Sequence, residues 1–505
     1  MKPDLIEVQK LAQSGDYQRI PVYRELLCDR FTPIEVMRTL RAASKHCYLL
    51  ESADSHQVWG RYTFLGYDPL LELTCTNGKL TVTEKKAGST AKINIGSTAQ
   101  INLRECSNGH PGEMIRKILE AYKSPVMKEL PPFTGGLVGY FSYEYVQYGE
   151  PSLKNLFDEE GDFCDVDLML FDKVIAFDHY RQKLILIAGA DTSRLEESYE
   201  EASETLDELE RLLDSGAKAY FKPLIMEGNL APVFDQAEYC EMVEKSKYYI
   251  REGDIFQVVL SNPMEVKATG SLFDAYRVLR TTNPSPYMFY FSSETIEIAG
   301  ASPETLVKLE NGTLHTFPLA GTRPRGKNDR EDELLSRELL ADEKELAEHN
   351  MLVDLGRNDL GKISRLGSVV VEKYMQIQRF SHVMHIGTTV AGQLAEGKTA
   401  VDAVDAILPA GTLSGAPKIR ACEIIRELEG RRRGVYGGAI GYLDFTGNLD
   451  TCIAIRLAYK KNGRVCVQSG AGIVADSVPE KEFEECRNKA QAVVSALTAA
   501  QGGIR

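Results

Sequence analysis

The sequence predicts an α+β fold in which helices flank a large antiparallel sheet. Short apolar segments recur along the chain, and tight turns such as TGN (446–448) and KNG (461–463) join them, so that neighbouring strands should pair antiparallel. Segments with a helical spacing of apolar residues alternate with these strands through the second half of the chain. Together these two patterns are typical of helices packed on antiparallel sheet.

The chain to about residue 190 is predicted to be predominantly β. Its candidate strands are CYLLES, RYTFLGY, LLELTCTNGKLTVTE with an Asn-Gly turn, GGLVGYFSYEY, LMLFDKVIAFD and KLILIAGA. An acidic segment with helical spacing follows at 193–213, and a stretch containing Gly and Pro at 215–233 separates the two halves. We therefore predict an N-terminal β-rich region over 1–225 and a second domain over 226–505.

The second half is predicted to alternate helices with strands. Helices are expected at 236–252, 331–353, 399–407, 416–429 and 479–498. The expected strands are IFQVVLSN, MFYFSS, IEIAGAS, LVKLE, TLHTFPLAG, GGAIGYLDF, DTCIAIRLAY and RVCVQSGAGIV.

Composition excludes several classes of function. The 505 residues carry 59 Lys and Arg against 73 Asp and Glu, and the net charge of -14 argues against binding to nucleic acid or to an anionic membrane. The N-terminal residues contain no apolar run typical of a secretion signal, and no segment reaches the ~18 apolar residues of a membrane span. The 10 cysteines form no CxxC motif, so we expect neither a zinc site nor a disulfide framework. We predict a globular, cytoplasmic protein.

Two predicted helices carry pairs of carboxylates. ADEKELAEHN places Glu345 and Glu348 three residues apart, and VPEKEFEECRNK places Glu482 and Glu485 three apart, so that each pair shares a helix face. Four converging carboxylates would make an oxygen site suited to Mg²⁺. Taken alone, each helix is more typical of a solvated acidic face, and only its combination with anion-binding loops favours a metal site.

Three Gly-containing loops could present backbone N–H groups to an anion. They are AGTRPRG (320–326), GTLSGAPK (411–418) and SGAG (469–472). Each could also be an ordinary turn, and none has the spacing of a nucleotide-binding loop.

Two further side chains stand out in predicted strands. Arg456 follows a mostly apolar run, where a guanidinium needs a partner, so it is either a carboxylate clamp or half of a structural ion pair. His385 is either a general acid or base or a hydrogen-bonded core residue. Covalent acyl chemistry is disfavoured, because no Gly-x-Ser-x-Gly elbow and no Cys-His arrangement is present.

Taken together, the motifs resemble those of the chorismate-utilising enzymes, and within that family those of the anthranilate synthase large subunits. IAGASPE, FPLAGTRPRG, AEHNMLVDLGRNDLGK, LPAGTLSGAPKIRACEIIRELE, RRGVYGGAIGY and SGAGIVADSVPEKEFEECRNKA occur in the family's order. LLES, RYTFLG and TGGLVGYFSYE extend the similarity into the first half. The resemblance implies the chorismate-binding enzyme fold, in which large antiparallel sheets pack as a sandwich with helices outside and residues 226–505 form the catalytic domain.

The resemblance also implies a reaction, in which chorismate and ammonia give anthranilate, pyruvate and water with Mg²⁺ required. Glu348 and Glu485 would be direct Mg²⁺ ligands, with Glu345 and Glu482 behind them or acting through water. The residues expected to hold chorismate are Gly321, Thr322, Tyr436, Arg456, Gly470, Ala471 and Gly472. His385 and Thr412 match catalytic positions, and His385 is assigned to proton transfer as the 4-hydroxyl or pyruvate leaves.

Two positions separate this reaction from others of the family. Isochorismate and salicylate synthases have a lysine base where this chain has Gln257, which disfavours water as the nucleophile. Aminodeoxychorismate synthases carry a lysine where this chain has Ala320, and alanine cannot attack the ring, so ammonia must be the nucleophile. An aminodeoxychorismate synthase large subunit and a catalytically silent tryptophan-binding regulator are the alternatives.

A partner and an inhibitor are implied as well. Only a short tail follows the last motif, so we expect a separate glutamine amidotransferase subunit to supply ammonia. The reaction would be the first committed step of tryptophan biosynthesis, with feedback inhibition by tryptophan. The residues that match the family's tryptophan site are Leu50, Glu51, Ser52, Pro286, Tyr287, Met288, Ile440 and Tyr442.

Overall fold

A computed structural model describes residues 1–52, 60–84, 110–157, 161, 163–379 and 383–504 of the chain. Its helices are α1 (Leu5–Gln13), α2 (Pro33–Ala43), α3 (Pro111–Ala121), α4 (Val146–Gly149), α5 (Leu195–Ser215), α6 (Gln236–Arg251), α7 (Phe273–Thr282), α8 (Asp329–Ala341), α9 (Glu343–Gly361), α10 (Ala400–Ile407), α11 (Lys418–Glu429) and α12 (Pro479–Ala500). Within the described ranges, no helix is long and apolar enough to cross a bilayer.

The strands before residue 235 are β1 (Arg19–Leu27), β2 (Cys47–Glu51), β3 (Tyr62–Tyr67), β4 (Leu71–Thr76), β5 (Lys79–Glu84), β6 (Gly136–Phe141), β7 (Val166–Phe171), β8 (Val174–Asp178), β9 (Lys183–Asp191), β10 (Ile225–Met226) and β11 (Ala231–Pro232). The later strands are β12 (Gln257–Thr269), β13 (Tyr287–Ser292), β14 (Ile296–Ser302), β15 (Thr305–Glu310), β16 (Thr313–Thr316), β17 (Leu319–Pro324), β18 (Val370–Arg379), β19 (Val383–Gln393), β20 (Gly415–Ala416), β21 (Ala439–Asp444), β22 (Leu449–Ile453), β23 (Leu457–Lys461) and β24 (Arg464–Ile473).

In the described residues these strands form two antiparallel sheets. The sheet of 13 strands follows the order β1-β9-β8-β3-β2-β13-β14-β23-β24-β12-β10, with β11 and β20 also pairing with β12. The sheet of 11 strands follows β17-β19-β16-β15-β22-β21-β6-β7-β4-β5, with β18 paired to β19. Strands from both sides of residue 225 share each sheet, because β2 pairs with β13 and β6 pairs with β21. The division of the chain into two domains at residue 225 stays a prediction from the sequence.

The two sheets pack face to face. One buried cluster joins Tyr48 and Phe289 of the first sheet to Tyr140 and Ile440 of the second. The outer face of the first sheet is covered by α2, α5, α7 and α12, and that of the second by α3, α9 and α10. The predicted sandwich of antiparallel sheets with helices outside is therefore confirmed.

Three local predictions need correction. The helix expected over 331–353 is two helices, because the Asp342 carboxylate accepts the N–H groups of Lys344 and Glu345 and so begins α9. DTCIAIRLAY is likewise two strands, since Arg456 has a φ of 51° between β22 and β23. Strands β1, β18 and β19 were not expected, and β18 is mostly solvent-exposed, with little apolar alternation to indicate it.

Candidate functional site

The Gly470–Gly472 segment of β24 forms the floor of the site. It pairs with β12, where Val259 lies opposite Gly472 and Ser261 opposite Gly470. A Cβ atom at Gly470 would lie 2.6 Å from the Leu260 carbonyl oxygen and 2.9 Å from the Tyr436 hydroxyl, so only glycine fits there. The backbone of this segment is thus held directly against the Tyr436 phenol.

Arg456 supplies a positive charge beside this floor. Its φ of 51° takes the residue out of the strand path between β22 and β23. Burial lowers the pKa of the guanidinium, while the Glu304 carboxylate acts in the opposite direction. Among the described residues no hydrogen-bond partner of the guanidinium is found, which leaves its donors for an anionic ligand.

Glu304 is a functional candidate that the sequence predictions missed. The Thr412 hydroxyl donates to its Oε1 at 3.0 Å. Burial raises the pKa of the Glu304 carboxyl to about 7, although Thr412, Lys489 and Arg456 oppose the shift. A carboxyl that titrates near neutrality is suited to general acid catalysis. It ends the motif IAGASPE, whose position between two apolar strands was the available signal.

His385 lies next to the AGT segment. Its Nδ1 is 2.7 Å from the Gly321 carbonyl oxygen, to which it donates, and 3.2 Å from the Thr322 hydroxyl. Burial lowers the pKa of the imidazole, the bond to the Gly321 carbonyl opposes this shift, and the Arg456 charge adds to it. In the neutral ring with Nδ1 donating, Nε2 is the acceptor. This side chain is therefore arranged as a base.

The two carboxylate pairs lie within electrostatic reach of each other. Partial burial raises the pKa of Glu348, and the charges of Glu345 on its own helix and of Glu485 on α12 add to the rise. Burial also raises the pKa of Glu482. The ammonium groups of Lys344 and of Lys489, which lies 2.7 Å from Glu485 Oε1, oppose the rise at both Glu348 and Glu482.

The carboxylate pairs fit a magnesium site in chemistry, because carboxylate oxygens are the hard donors that Mg²⁺ prefers. In the part of the chain that the structure describes, no three His, Cys, Asp or Glu side chains are grouped in ligand geometry. The pairs influence each other through their charges, and Lys489, Lys344 and Arg323 supply opposing positive charge.

The AGT segment and α12 are each fixed by close contacts. Gly321, with a φ of 67°, has no room for a Cβ, which would lie 2.9 Å from Leu339 Cδ1 and 3.1 Å from Glu345 Oε2. Helix α12 is tied to β24 by two reciprocal hydrogen bonds: Ser469 Oγ donates to the Cys486 carbonyl at 2.7 Å, and Cys486 Sγ donates to the Ser469 carbonyl at 2.9 Å. These contacts set both carboxylate helices against the glycine segments. We call the region of Arg456, Glu304, Thr412, His385 and the carboxylate pairs the charged cleft.

A second cleft opens between the two sheets, and we call it the apolar cleft. All eight residues predicted for an inhibitor lie along it. It has an empty volume of about 690 Å³ including its open mouth, and its lining residues are Leu50, Glu51, Ser52, Tyr62, Phe64, Pro132, Pro286, Tyr287, Met288, Phe289, Lys308, Ile440, Gly441, Tyr442, Asp450 and Cys452. Its walls are mostly aromatic and aliphatic, which suits an aromatic ligand.

The charged groups of the apolar cleft differ from those expected. The Glu51 carboxylate accepts hydrogen bonds from Arg280 Nε at 2.7 Å and Nη2 at 3.2 Å, and also from the Tyr276 hydroxyl. It therefore lines the cleft as half of an ion pair with Arg280. Asp450 and Lys308, which the sequence predictions missed, add a carboxylate and an ammonium. Lys308, which interrupts the apolar residues of LVKLE, was the available signal.

The two clefts touch through β15. The Tyr287 hydroxyl of the apolar cleft lies 3.0 Å from the Thr305 hydroxyl and donates to Asp450 at 2.8 Å. Thr305 directly follows Glu304, whose carbonyl accepts the Ile453 N–H at 2.9 Å. A ligand of the apolar cleft would thus be separated from Glu304 by one side-chain contact.

Known proteins are similar to this chain over most or all of its length. The chain is 44% identical to anthranilate synthase component 1 of Acetivibrio thermocellus, over 100% of this chain and 99% of that protein. It is 43% identical to the protein of the same name in Pseudomonas aeruginosa, over 99% of each. The crystal structure of anthranilate synthase component I from Streptococcus pneumoniae TIGR4 matches with a TM-score of 0.72 and 37% identity, over 87% of this chain and 95% of that chain.

A more distant structure shares the fold. The menaquinone-specific isochorismate synthase of Escherichia coli matches with a TM-score of 0.67 at 19% identity, over 98% of each chain. The family described as chorismate binding enzyme matches residues 46–495. The chain belongs to the chorismate-binding enzyme family.

Proposed function

We propose that this chain is the large subunit of an anthranilate synthase, which converts chorismate and ammonia into anthranilate, pyruvate and water. The observation that carries the proposal is the 44% identity, over the whole chain, to a protein of that name. The charged cleft supports it with groups suited to a small dianion and to acid-base chemistry.

Chorismate carries two carboxylates, and the charged cleft offers two places for them. The Arg456 guanidinium, the Tyr436 hydroxyl and backbone N–H groups at Gly470–Gly472 would hold the enolpyruvyl carboxylate. The ring carboxylate would lie toward the carboxylate pairs. There Glu348 and Glu485 would hold Mg²⁺, with Glu345 and Glu482 behind them, and the bound ion would supply positive charge for the substrate.

Two groups would carry the protons. Glu304, protonated below a pKa of about 7, would donate to the 4-hydroxyl as it leaves as water. His385, whose Nδ1 donates to the Gly321 carbonyl, would accept the ring proton at Nε2 as pyruvate is eliminated. Thr412 would orient Glu304 through their hydrogen bond.

Ammonia is the proposed nucleophile. Ala320 is buried in β17 opposite Ile386 and has no amine, so this position cannot attack the substrate ring. Gln257, whose Nε2 lies 2.7 Å from the position of a Cβ on Gly472, is neutral and is a poor base for water. A glutamine amidotransferase subunit is the proposed source of ammonia, in keeping with the word "component" in the relatives' name.

Tryptophan is the proposed ligand of the apolar cleft. Its indole would pack among Met288, Pro286 and the Tyr442 ring, and its charged ends would meet the oppositely charged groups of the cleft. Inhibition by tryptophan would fit an enzyme at the first committed step of tryptophan biosynthesis, where the end product controls its own formation. The cytoplasmic location stays a prediction from the sequence.

Product identity tests the proposal. The purified chain, given chorismate, ammonium and Mg²⁺, should form fluorescent anthranilate together with equimolar pyruvate. Accumulation of 4-amino-4-deoxychorismate would instead identify an aminodeoxychorismate synthase. No turnover together with tight tryptophan binding would identify a silent regulator.

A further inference from the structure

A fully buried ion pair, Arg433–Glu429, lies beneath the charged cleft. Each side chain is 1% exposed, and Arg433 Nε and Nη2 donate to the two Glu429 oxygens at 2.9 and 2.5 Å. A buried pair of this kind is seldom a source of stability, because desolvation offsets much of the attraction between the charges. The other contacts of the two side chains therefore point to a role in function rather than in stability.

The Arg433 guanidinium bridges two elements of the charged cleft. Its Nη1 donates to the Leu413 carbonyl at 2.7 Å, and its Nη2 donates to the Val259 carbonyl at 2.7 Å. Leu413 follows Thr412, the residue that holds Glu304, and Val259 lies opposite Gly472. One planar group thus fixes the spacing between the Thr412 loop and the strand that supports the glycine floor.

Glu429 extends the bridge along β12. Its Oε1 accepts the N–H of Ser261 at 2.7 Å and the Ser261 hydroxyl at 2.9 Å. Ser261 lies opposite Gly470. The guanidinium also lies 5.8 Å from the centre of the Tyr436 ring and 4.6 Å from that of Tyr143, within the range of cation–π contact.

We infer that Arg433 and Glu429 are positioning residues for the reaction: they hold the Thr412 loop, the Gly470–Gly472 floor and the Tyr436 ring in one fixed arrangement. Neither side chain reaches solvent, so neither contacts substrate itself. The inference rests on the proposed function, because it concerns the geometry in which Glu304 and the substrate carboxylate meet.

Arg433→Lys tests the inference. Lysine keeps the charge opposite Glu429, but a single ammonium nitrogen cannot reach both carbonyls with the geometry of a planar fork. We expect kcat for ammonium-dependent anthranilate formation to fall about 10- to 100-fold, while KM for chorismate changes less than about threefold, because misplacement acts on the transition state.

A neighbouring ion pair gives the matched control. Arg432 pairs with Asp165, and their side chains are 10% and 0% exposed, but neither contacts the charged cleft in the described residues. Arg432→Lys should lower the thermal midpoint to a similar extent and leave kcat within about twofold. An equal fall of kcat in both variants would show a general effect of destabilisation and overturn the inference.

A double variant separates positioning from folding. If Arg433 acts through the Thr412 loop, adding Arg433→Lys to Thr412→Val should lower kcat less than about threefold further. Fully multiplicative losses would overturn the inference. If Arg433→Lys does not fold, Glu429→Gln carries the same test, since the amide keeps an acceptor for Ser261 but weakens the hold on Arg433.

The two proposals fail in different ways. A wild-type chain that forms no anthranilate refutes the proposed function. A wild-type chain that is active, with variants that keep its kcat, refutes only the positioning role.

Discussion

The charged cleft and the apolar cleft are built in opposite ways from the same two sheets. Three residues of the charged cleft lie where regular structure ends: Glu304 between β14 and β15, Thr412 in the turn at 411–413, and Arg456 at a positive φ between two strands. Residues of the apolar cleft lie mostly within or at the ends of strands that face one another between the sheets. Part of the charged cleft thus lies at breaks in regular structure, whereas the apolar cleft lies between packed sheet faces.

The two clefts should respond differently to substitutions nearby. Groups at strand ends can be reoriented by small backbone shifts, whereas the facing strands of a packed sandwich resist them. The hydroxyl contact between Tyr287 and Thr305 is where the two environments meet. If the clefts have separate roles, substitutions in the charged cleft should leave tryptophan affinity unchanged. Substitutions in the apolar cleft should leave kcat unchanged, except at this contact.

The largest effect should come from Arg456→Met, which removes the guanidinium proposed to bind a substrate carboxylate in the charged cleft. We expect kcat/KM for chorismate to fall about 1,000-fold, about 4 kcal/mol, because a desolvated anion loses its charged partner. Tryptophan affinity, measured by calorimetry, should stay within about twofold. Arg464→Met, at an exposed surface pair with Glu265, is the control and should be fully active. Similar losses of activity and tryptophan binding would break the comparison.

Glu304→Gln should lower kcat about 100-fold, since a positioned general acid contributes on that order. The wild-type rate should fall as the pH rises through the Glu304 pKa of about 7, because the pKa is raised from 4.5 and only the protonated form donates. That alkaline limb should be absent from the residual activity of the variant. A pH–rate profile in which the limb persists at the same midpoint would assign the titration to another group.

Tyr287→Phe sharpens the comparison at the contact between the clefts. Losing the hydroxyl removes the hydrogen bonds to Thr305 and Asp450, so the tryptophan concentration for half inhibition should rise about tenfold, while kcat stays within about twofold. Tyr442→Phe is the matched control, because no protein hydrogen bond of that hydroxyl is found in the described residues. Equal effects of the two substitutions would argue against a route through Thr305.

The smallest effect is expected for Ser469→Ala, which removes one of the bonds between β24 and α12. The free energy of unfolding should fall by about 1 kcal/mol, as for a buried hydrogen bond. Urea unfolding gives this value, and kcat should decline only a few-fold because the reciprocal Cys486 bond remains. Loss of tryptophan inhibition in this variant would contradict the separation of the two clefts.

The two clefts also differ in how well the sequence predicts them. The glycine segments and ExxE pairs stand out by composition: SGAG lies in the expected strand and both pairs lie in helices, but AGTRPRG, expected as a loop, lies largely in β17. Glu304 was missed because its pKa depends on burial by distant segments, which no local pattern reveals. The apolar cleft consists of ordinary strand residues, so only the family resemblance indicated it, and the pairing of Glu51 with Arg280 required the packing of α7 on β2. The helix break at Asp342 was missed because acidic residues continue through it.

Tryptophan titration of ammonium-dependent anthranilate formation tests the separate roles of the two clefts most directly. With chorismate, ammonium and Mg²⁺, the isolated wild-type chain should form anthranilate and tryptophan should suppress it. Ser52→Arg, which fills the apolar cleft, should keep most of the activity and lose the suppression. Inhibition of Ser52→Arg at the wild-type tryptophan concentration, or absence of anthranilate from the wild-type reaction, would contradict the account.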